Sequence, residues 1–142
     1  MSTYGYYRVA AAVPQVRVAD VDFNTTVLVS AAQEAAQQGA EVVVFPELCL
    51  TSASCADLFF QPRLQKAAMA ALQRFAAETS DLPLISIVGL PLLVDERLYN
   101  VAAVVQGGKV LGMVPKSVLP GKRSGYEYRQ FSAASSLMRS EV

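Results

Sequence analysis

Short apolar runs alternate with stretches of helical periodicity along the first 90 residues, and this alternation restricts the fold more than any other feature. The runs are Tyr7–Val13, Glu41–Phe45 and Leu84–Leu90. Between them, a helix capped by Asp20 or Asp22 is predicted to reach about Gln38, and a second to begin at Gln61-Pro62. Strands that alternate with helices build parallel βαβ units. The pattern therefore predicts an α/β protein with two helices on one face of the sheet.

Each predicted helix has one apolar stripe that should face the sheet. The first stripe is Phe23, Val27, Ala31 and Ala35, and the second is Leu64, Ala68, Leu72 and Phe75. Gly39 is a natural stop for the first helix, and Asp81-Leu82-Pro83 breaks the second.

Two further apolar runs, Asn100–Gln106 and Lys109–Val114, predict an antiparallel hairpin. They are joined by Gly107-Gly108, and a two-residue type I′ turn needs positive φ at both positions, which glycine supplies. The sheet should therefore be mixed, with Glu41–Phe45 as its central strand.

Composition excludes several classes of function. The chain has 142 residues, enough to bury a core, and 12 basic residues balance 12 acidic ones. A net charge of zero gives no electrostatic reason to bind nucleic acid or an anionic membrane. No apolar run reaches the roughly 18–20 residues that span a bilayer. The opening residues lack a signal-peptide pattern, so we expect a cytoplasmic protein.

Histidine is absent, which excludes Ser-His-Asp and Cys-His catalysis within these residues. Cys49 and Cys55 are the only cysteines, and their separation does not match the spacing of paired zinc ligands. We expect no metal site and two reduced thiols.

Two charged residues follow apolar strands at their ends. Glu47 follows Phe45-Pro46, and Lys116 follows Pro115. A carboxylate and an amine delivered in this way suit base-assisted acyl transfer, with the carboxylate moving a proton and the amine holding an oxyanion. Taken singly, Glu47 could equally be a solvated loop residue, and Lys116 an edge charge.

Four motifs together resemble the nitrilase superfamily of carbon-nitrogen hydrolases, and in particular the amino-terminal glutaminase domain of bacterial glutamine-dependent NAD⁺ synthetases. The motifs are Phe45–Thr51, Cys55–Phe59, Pro115–Pro120 and Tyr126–Phe131. The resemblance implies an α-β-β-α sandwich of which residues 1–142 form the front portion only, a partial glutaminase domain.

The resemblance also implies roles for individual residues. Glu47 matches the general base, Lys116 the group that stabilises the oxyanion, and Glu127 the second glutamate that orients the lysine and substrate. Tyr126 and Arg129 match positions that shape the substrate pocket. Glu47 would need burial among apolar neighbours to act as a base at neutral pH.

The cysteine nucleophile of this superfamily matches no position here, and Cys49 is expected to pack as a small apolar residue. The resemblance implies glutamine as substrate, transfer of ammonia to a synthetase domain that uses ATP and Mg²⁺, and no cofactor in this segment. We expect the chain alone to be inactive and an uncovered sheet face to favour a homo-oligomer. Alternatives are a truncated amidase or carbamoylase and a non-catalytic interaction module on the same scaffold.

Overall fold

The computed structural model describes residues 5–120 and 127–137, without the side chains of residues 127 and 128. The strands are β1 (Val9–Ala11), β2 (Val42–Val44), β3 (Ile85–Val94), β4 (Arg97–Gln106) and β5 (Lys109–Pro115). The helices are α1 (Val21–Gln37), α2 (Pro62–Glu78) and the single turn α3 (Glu127–Gln130), with 3-10 segments at Ala53–Phe60 and Ala134–Ser136.

The strands form one mixed sheet in the order β1-β2-β3-β4-β5. β1, β2 and β3 are parallel, and β3, β4 and β5 are antiparallel. The predicted α/β class and mixed sheet are confirmed. The predicted centre was wrong, because β3 lies between two strands on each side and Glu41–Phe45 contributes the strand beside it.

Two hairpins shape the carboxy-terminal half of the sheet. The predicted turn at Gly107-Gly108 is present, with φ values of 59° and 80°. A second turn at Asp95-Glu96 was not predicted and has φ values of 47° and 64°. It extends β3 beyond Leu90 and starts β4 at Arg97, because Val94 pairs directly with Arg97.

The helix boundaries follow from their first turns. The Asp20 carboxylate accepts a hydrogen bond from the Phe23 N–H and caps α1, and Pro62 occupies the first turn of α2. Parallel crossovers are right-handed, so both helices lie on the same face of the sheet, where they contact each other.

The stripe predicted for α2 is confirmed, since all four of its residues are buried. The stripe predicted for α1 was partly wrong: Ala35 is buried and Ala31 packs against the core, whereas Phe23 and Val27 are not part of it. The buried residues of α1 are Val21, Asn24, Thr25, Leu28, Val29, Ala32 and Ala35. Phe23 lies at the rim, where the Arg17 guanidinium stacks 3.8 Å from its ring centroid. Polar Asn24 and Thr25 occupy inward positions, which shifts the buried side relative to the apolar pattern.

The core lies between the sheet and the two helices. Alternate residues of the strands point towards the helices and are buried, among them Val43, Val88 and Ala103. On the opposite face, called the open face below, Val44 is 42% exposed and Val114 is 63% exposed. Within residues 5–120 and 127–137, the structure covers only one face of the sheet.

No helix in the described part of the chain is long and apolar enough to cross a membrane.

Candidate active site

A cavity of about 360 Å³ lies on the open face, near the carboxyl end of β2. It is lined by apolar strand residues and three polar side chains. The lining residues are Val44, Phe45, Pro46, Glu47, Ile87, Gly89, Asn100, Val101, Ala102, Val114, Pro115 and Lys116. Glu47 and Lys116 were both predicted as site residues, and the structure brings them together here.

The loop that carries Glu47 is anchored at both ends. The Phe45 ring meets Phe75 of α2 edge to face at 6.0 Å between centroids, and the Phe45 N–H donates to the Ile87 carbonyl at 3.0 Å. On the far side of Glu47, the Leu50 N–H donates to the Gly89 carbonyl at 3.2 Å. The loop therefore lies across β3.

Gly89 makes this close approach possible. A Cβ atom at that position would lie 2.4 Å from the backbone nitrogen of Leu48 and 2.9 Å from the carbonyl oxygen of Pro46. No side chain fits between backbones at such distances. A glycine within an apolar strand is the sequence signal that could have indicated this contact.

Lys116 is held through its main chain. Its N–H donates to the Asn100 carbonyl at 2.8 Å, and its own carbonyl accepts from the Ala134 N–H at 3.0 Å. The segment after β5 is therefore fixed between β4 and the residues that follow α3.

The charged ends of Glu47 and Lys116 form an ion pair. Lys116 Nζ lies 2.8 Å from Glu47 Oε1. The Glu47 side chain is 49% exposed and that of Lys116 is 30% exposed. The expected burial of Glu47 among apolar neighbours is absent, because the cavity opens on the uncovered face of the sheet.

Asn100 is a third polar group in the cavity, and we did not predict it. Its side-chain amide donates to Glu47 Oε1, the oxygen that also accepts from Lys116. Asn100 is buried, at 4% exposure. An amide within an apolar strand must find hydrogen-bond partners when it is buried, and this was the available signal.

Neither cysteine lines the cavity. Cys49 is buried, and its Sγ lies 3.3 Å from the Gly89 nitrogen, whose N–H donates to it. Burial raises the pKa of the Cys49 thiol from 9.0 to about 11. Cys55 donates to the Thr51 carbonyl at 3.0 Å, and burial raises its pKa as well. Both thiols are free, as predicted.

The remaining predicted residues lie on or near the segment after residue 126. Arg129 Nη2 pairs with Asp57 Oδ2 at 3.2 Å, on the 3-10 segment, and is not among the residues that line the cavity. Tyr126 and the side chain of Glu127 lie outside the described residues.

An apolar contact also joins the segment after α3 to the 3-10 segment. The Phe59 and Phe131 rings meet with centroids 4.9 Å apart. The segment after α3 is therefore packed on the 3-10 segment at its start, in addition to its hydrogen bond to Lys116.

Comparison with protein families shows that residues 8–138, nearly the whole chain, match the carbon-nitrogen hydrolase family. The glutamine-dependent NAD⁺ synthetase of Mycobacterium tuberculosis H37Rv is 39% identical over 129 residues, which is 91% of this chain and 19% of that protein. The enzyme of the same name from Acinetobacter baylyi is 32% identical over 127 residues, or 89% of this chain and 23% of that protein. The chain thus spans about a fifth of the length of these relatives.

Solved structures show the same fold. A glutamine-dependent NAD⁺ synthetase from Cytophaga hutchinsonii superposes with a TM-score of 0.84 at 28% identity, over 89% of this chain and 22% of that one. An amidase of the nitrilase superfamily from Nesterenkonia AN1 superposes with a TM-score of 0.79 at 24% identity, over 90% of this chain and 48% of that one. At that identity the amidase supports the fold alone.

Proposed function

Because the chain belongs to the carbon-nitrogen hydrolase family, we propose that Glu47 and Lys116 are two of the three groups of a Glu-Lys-Cys amidase site. The reaction we propose for the complete protein is hydrolysis of the glutamine amide, which supplies ammonia for the ATP-dependent amidation of deamido-NAD⁺. The ion pair between Glu47 and Lys116, in a cavity where their strands end, carries this proposal. Similarity to enzymes named glutamine-dependent NAD⁺ synthetases supports the substrate.

In the proposed reaction, Glu47 is the general base. It accepts the proton of a cysteine thiol as sulfur attacks the amide carbon, and it returns that proton to nitrogen as ammonia leaves. A water molecule then cleaves the thioester, giving glutamate and the free thiol. Lys116 stabilises the oxyanion of the tetrahedral intermediate in each step. Its ammonium is positioned for this role because it lies next to the carboxylate of Glu47, the proposed base.

We propose that the nucleophile lies outside residues 1–142. Cys49 is unsuited to the role, because its sulfur is buried against Gly89 and a pKa of about 11 keeps the thiol protonated at neutral pH. The chain alone is therefore expected to release no ammonia from glutamine.

Three further roles are proposed from the resemblance. Glu127 orients Lys116 and the substrate, and Tyr126 shapes the pocket. Arg129 is proposed to shape the pocket indirectly, because its ion pair with Asp57 holds α3 against the 3-10 segment. ATP and Mg²⁺ are proposed to act in a synthetase domain outside these residues.

A chimera can test the proposed function. Residues 1–142 would replace the matching segment of the Mycobacterium tuberculosis synthetase, and NAD⁺ formation would be measured with glutamine or with ammonium chloride as nitrogen source. We expect Glu47→Gln and Lys116→Met to abolish the glutamine-dependent rate and leave the ammonium-dependent rate intact. Leu58→Gln, on the exposed side of the 3-10 segment, is the matched control.

Two outcomes would contradict the proposal. Full glutamine-dependent activity in both variants would remove Glu47 and Lys116 from the site. Ammonia release by the chain alone that disappears in Cys49→Ala would identify Cys49 as the nucleophile.

A further inference from the structure

We infer that Asn100 is a positioning residue that fixes the carboxylate of Glu47 relative to Lys116. This inference rests on the proposed function, because it treats Glu47 as the base. It concerns a residue that neither the motifs nor the predicted roles include.

The register of the sheet places Asn100 beside Lys116. Val101 of β4 pairs with Pro115 of β5, so the next residues along the two strands are Asn100 and Lys116. Their main chains are joined by the hydrogen bond from the Lys116 N–H to the Asn100 carbonyl at 2.8 Å. Side chains alternate between faces along a strand, and both residues therefore project onto the open face with Ala102 and Val114.

The side chain of Asn100 then reaches Glu47. Its amide and the Lys116 ammonium donate to the same carboxylate oxygen, Oε1. One residue thus contacts both proposed catalytic groups, the lysine through its main chain and the glutamate through its side chain.

Burial distinguishes Asn100 from the two charged residues. Asn100 is 4% exposed, whereas the Glu47 and Lys116 side chains are 49% and 30% exposed. An ion pair between two long, partly exposed side chains is held weakly, since fixing them costs rotamer entropy. The short side chain of Asn100 is already buried within the sheet, so it loses little further rotamer entropy when its amide donates to Glu47. Asn100 therefore has the most restricted side chain of the three and can hold the Glu47 carboxylate in position.

The chemistry of an amide suits this role. Asn100 has no titratable proton, so it donates to the carboxylate without competing for the proton that the base must accept. A hydrogen bond to the charged form of a carboxyl group favours that form. Asn100 should thus hold the Glu47 carboxylate in one position relative to the Lys116 ammonium.

The chain provides its own control for the test, because its only asparagines are Asn24 and Asn100. Asn24 is also buried, but its amide bonds the carbonyls of Arg17 and Leu50. Protein labelled with ¹⁵N at asparagine alone would give two pairs of side-chain amide signals, one pair for each asparagine. We expect the Asn100 signals to shift with the pH midpoint at which the Glu47 ¹³Cδ signal titrates, and those of Asn24 to stay unchanged. The response of Asn100 should disappear in Glu47→Gln.

Substitution of Asn100 gives the second arm of the experiment. We expect Asn100→Leu, which keeps the size and removes the donor, to raise the midpoint of the Glu47 signal by about one pH unit. Asn100→Asp should raise it further, because a second carboxylate repels the first. Ser86→Ala, at another buried polar residue of the sheet, should leave it unchanged.

The inference is overturned if the Asn100 signals do not follow the titration of Glu47. It is equally overturned if they shift with pH to the same extent in Glu47→Gln. It is also overturned if Asn100→Leu folds and leaves the Glu47 midpoint unchanged. Neither readout needs turnover, so they remain decisive if the glutaminase chimera proves inactive. If Asn100→Leu does not fold, the signals of the unsubstituted protein and of Glu47→Gln decide the question.

Discussion

Glu47 reaches the cavity across a residue that has no side chain. The backbone from Pro46 to Leu48 crosses β3 directly over Gly89, and Leu48 adopts a φ of 55° as the chain turns back. A left-handed conformation is costly for leucine, and the surrounding contacts must hold it in place. The position of the proposed base therefore depends on one glycine.

Gly89→Ala should displace this loop. The new methyl group would collide with backbone atoms that cannot move independently, so we expect a loss of about 3 kcal/mol in the free energy of unfolding. Gly112→Ala is the matched control, since no atom lies within 4 Å of its Cβ position. Urea unfolding of both variants checks this. Equal stabilities would show that the loop is less tightly placed than the structure indicates.

The buried thiol of Cys49 should make stability fall at alkaline pH. Between pH 9.0 and about 11 the unfolded thiol loses its proton while the folded thiol keeps it. The folded state then binds more protons, and the free energy of unfolding decreases as the pH rises, by about 1.4 kcal/mol per pH unit for one such group. Urea unfolding from pH 8 to 10.5 would measure this slope. In Cys49→Ala the slope should be smaller by that amount, and an unchanged slope would contradict the expected burial effect.

At the scale of single residues, the sequence led to Glu47 and Lys116 but not to Asn100 or Gly89. The first two are charged residues at the ends of apolar strands, and a family motif surrounds each. Asn100 and Gly89 lie within strands, and their importance comes from the register and from a loop that crosses the sheet. Neither the pairing register nor that crossing can be derived from local pattern.

At the scale of secondary-structure elements, the β3–β4 turn was not predicted because it contains no glycine. Asp95 and Glu96 form the β3–β4 turn with positive φ at both positions. A type I′ turn favours Asn-Gly or Gly-Gly, and Asp-Glu matches neither. The nine residue pairs between the two strands impose the turn, because β3 and β4 run antiparallel up to the pair of Val94 with Arg97.

Glu96→Gly should therefore stabilise the protein. Relief of the left-handed strain exceeds the entropy that glycine adds to the unfolded chain, and we expect a gain of about 1 kcal/mol. The same change at Glu34, an exposed position within α1, should cost about 1 kcal/mol instead. Thermal unfolding of the two variants gives the comparison. A loss of stability in Glu96→Gly would mean that contacts of the glutamate outweigh the strain.

Most elements were predictable because their signals are local. The cap at Asp20, the proline at the start of α2 and the glycine turn each depend on neighbouring residues. The α1 stripe was wrong at Phe23 and Val27 because Asn24 is fully buried through hydrogen bonds to Arg17 and Leu50, which are tertiary contacts. Polarity alone could not identify this asparagine as a core residue.

At the scale of the whole molecule, the prominent feature is a sheet that, within residues 5–120 and 127–137, has helices on one face only. The open face presents Val9, Val44 and Val114, which are 66%, 42% and 63% exposed. Exposed apolar surface of this kind favours association. The described residues thus combine a well-packed core with an apolar surface.

We expect this surface to drive self-association of the chain. Val44→Lys and Val114→Lys should lower the weight-average sedimentation coefficient at a given concentration, because a charged side chain resists burial. Val118→Lys is the control, since Val118 is 81% exposed in the segment after β5. Sedimentation velocity over a range of concentrations tests this. If all three variants behave like the unsubstituted chain, contacts elsewhere are responsible for any association.

The ion pair between Glu47 and Lys116 joins residues that are 69 positions apart in the chain. The β3–β4 and β4–β5 hairpins close over two residues each, whereas β1 and β2 join the sheet only after long crossovers. Folding rates fall as contacts become less local, because loop closure costs entropy before the contact forms. In pulsed hydrogen exchange, the amides of β4 and β5 should gain protection before those of β2. The ion pair between Glu47 and Lys116 would then form last, in the folding step that completes the sheet.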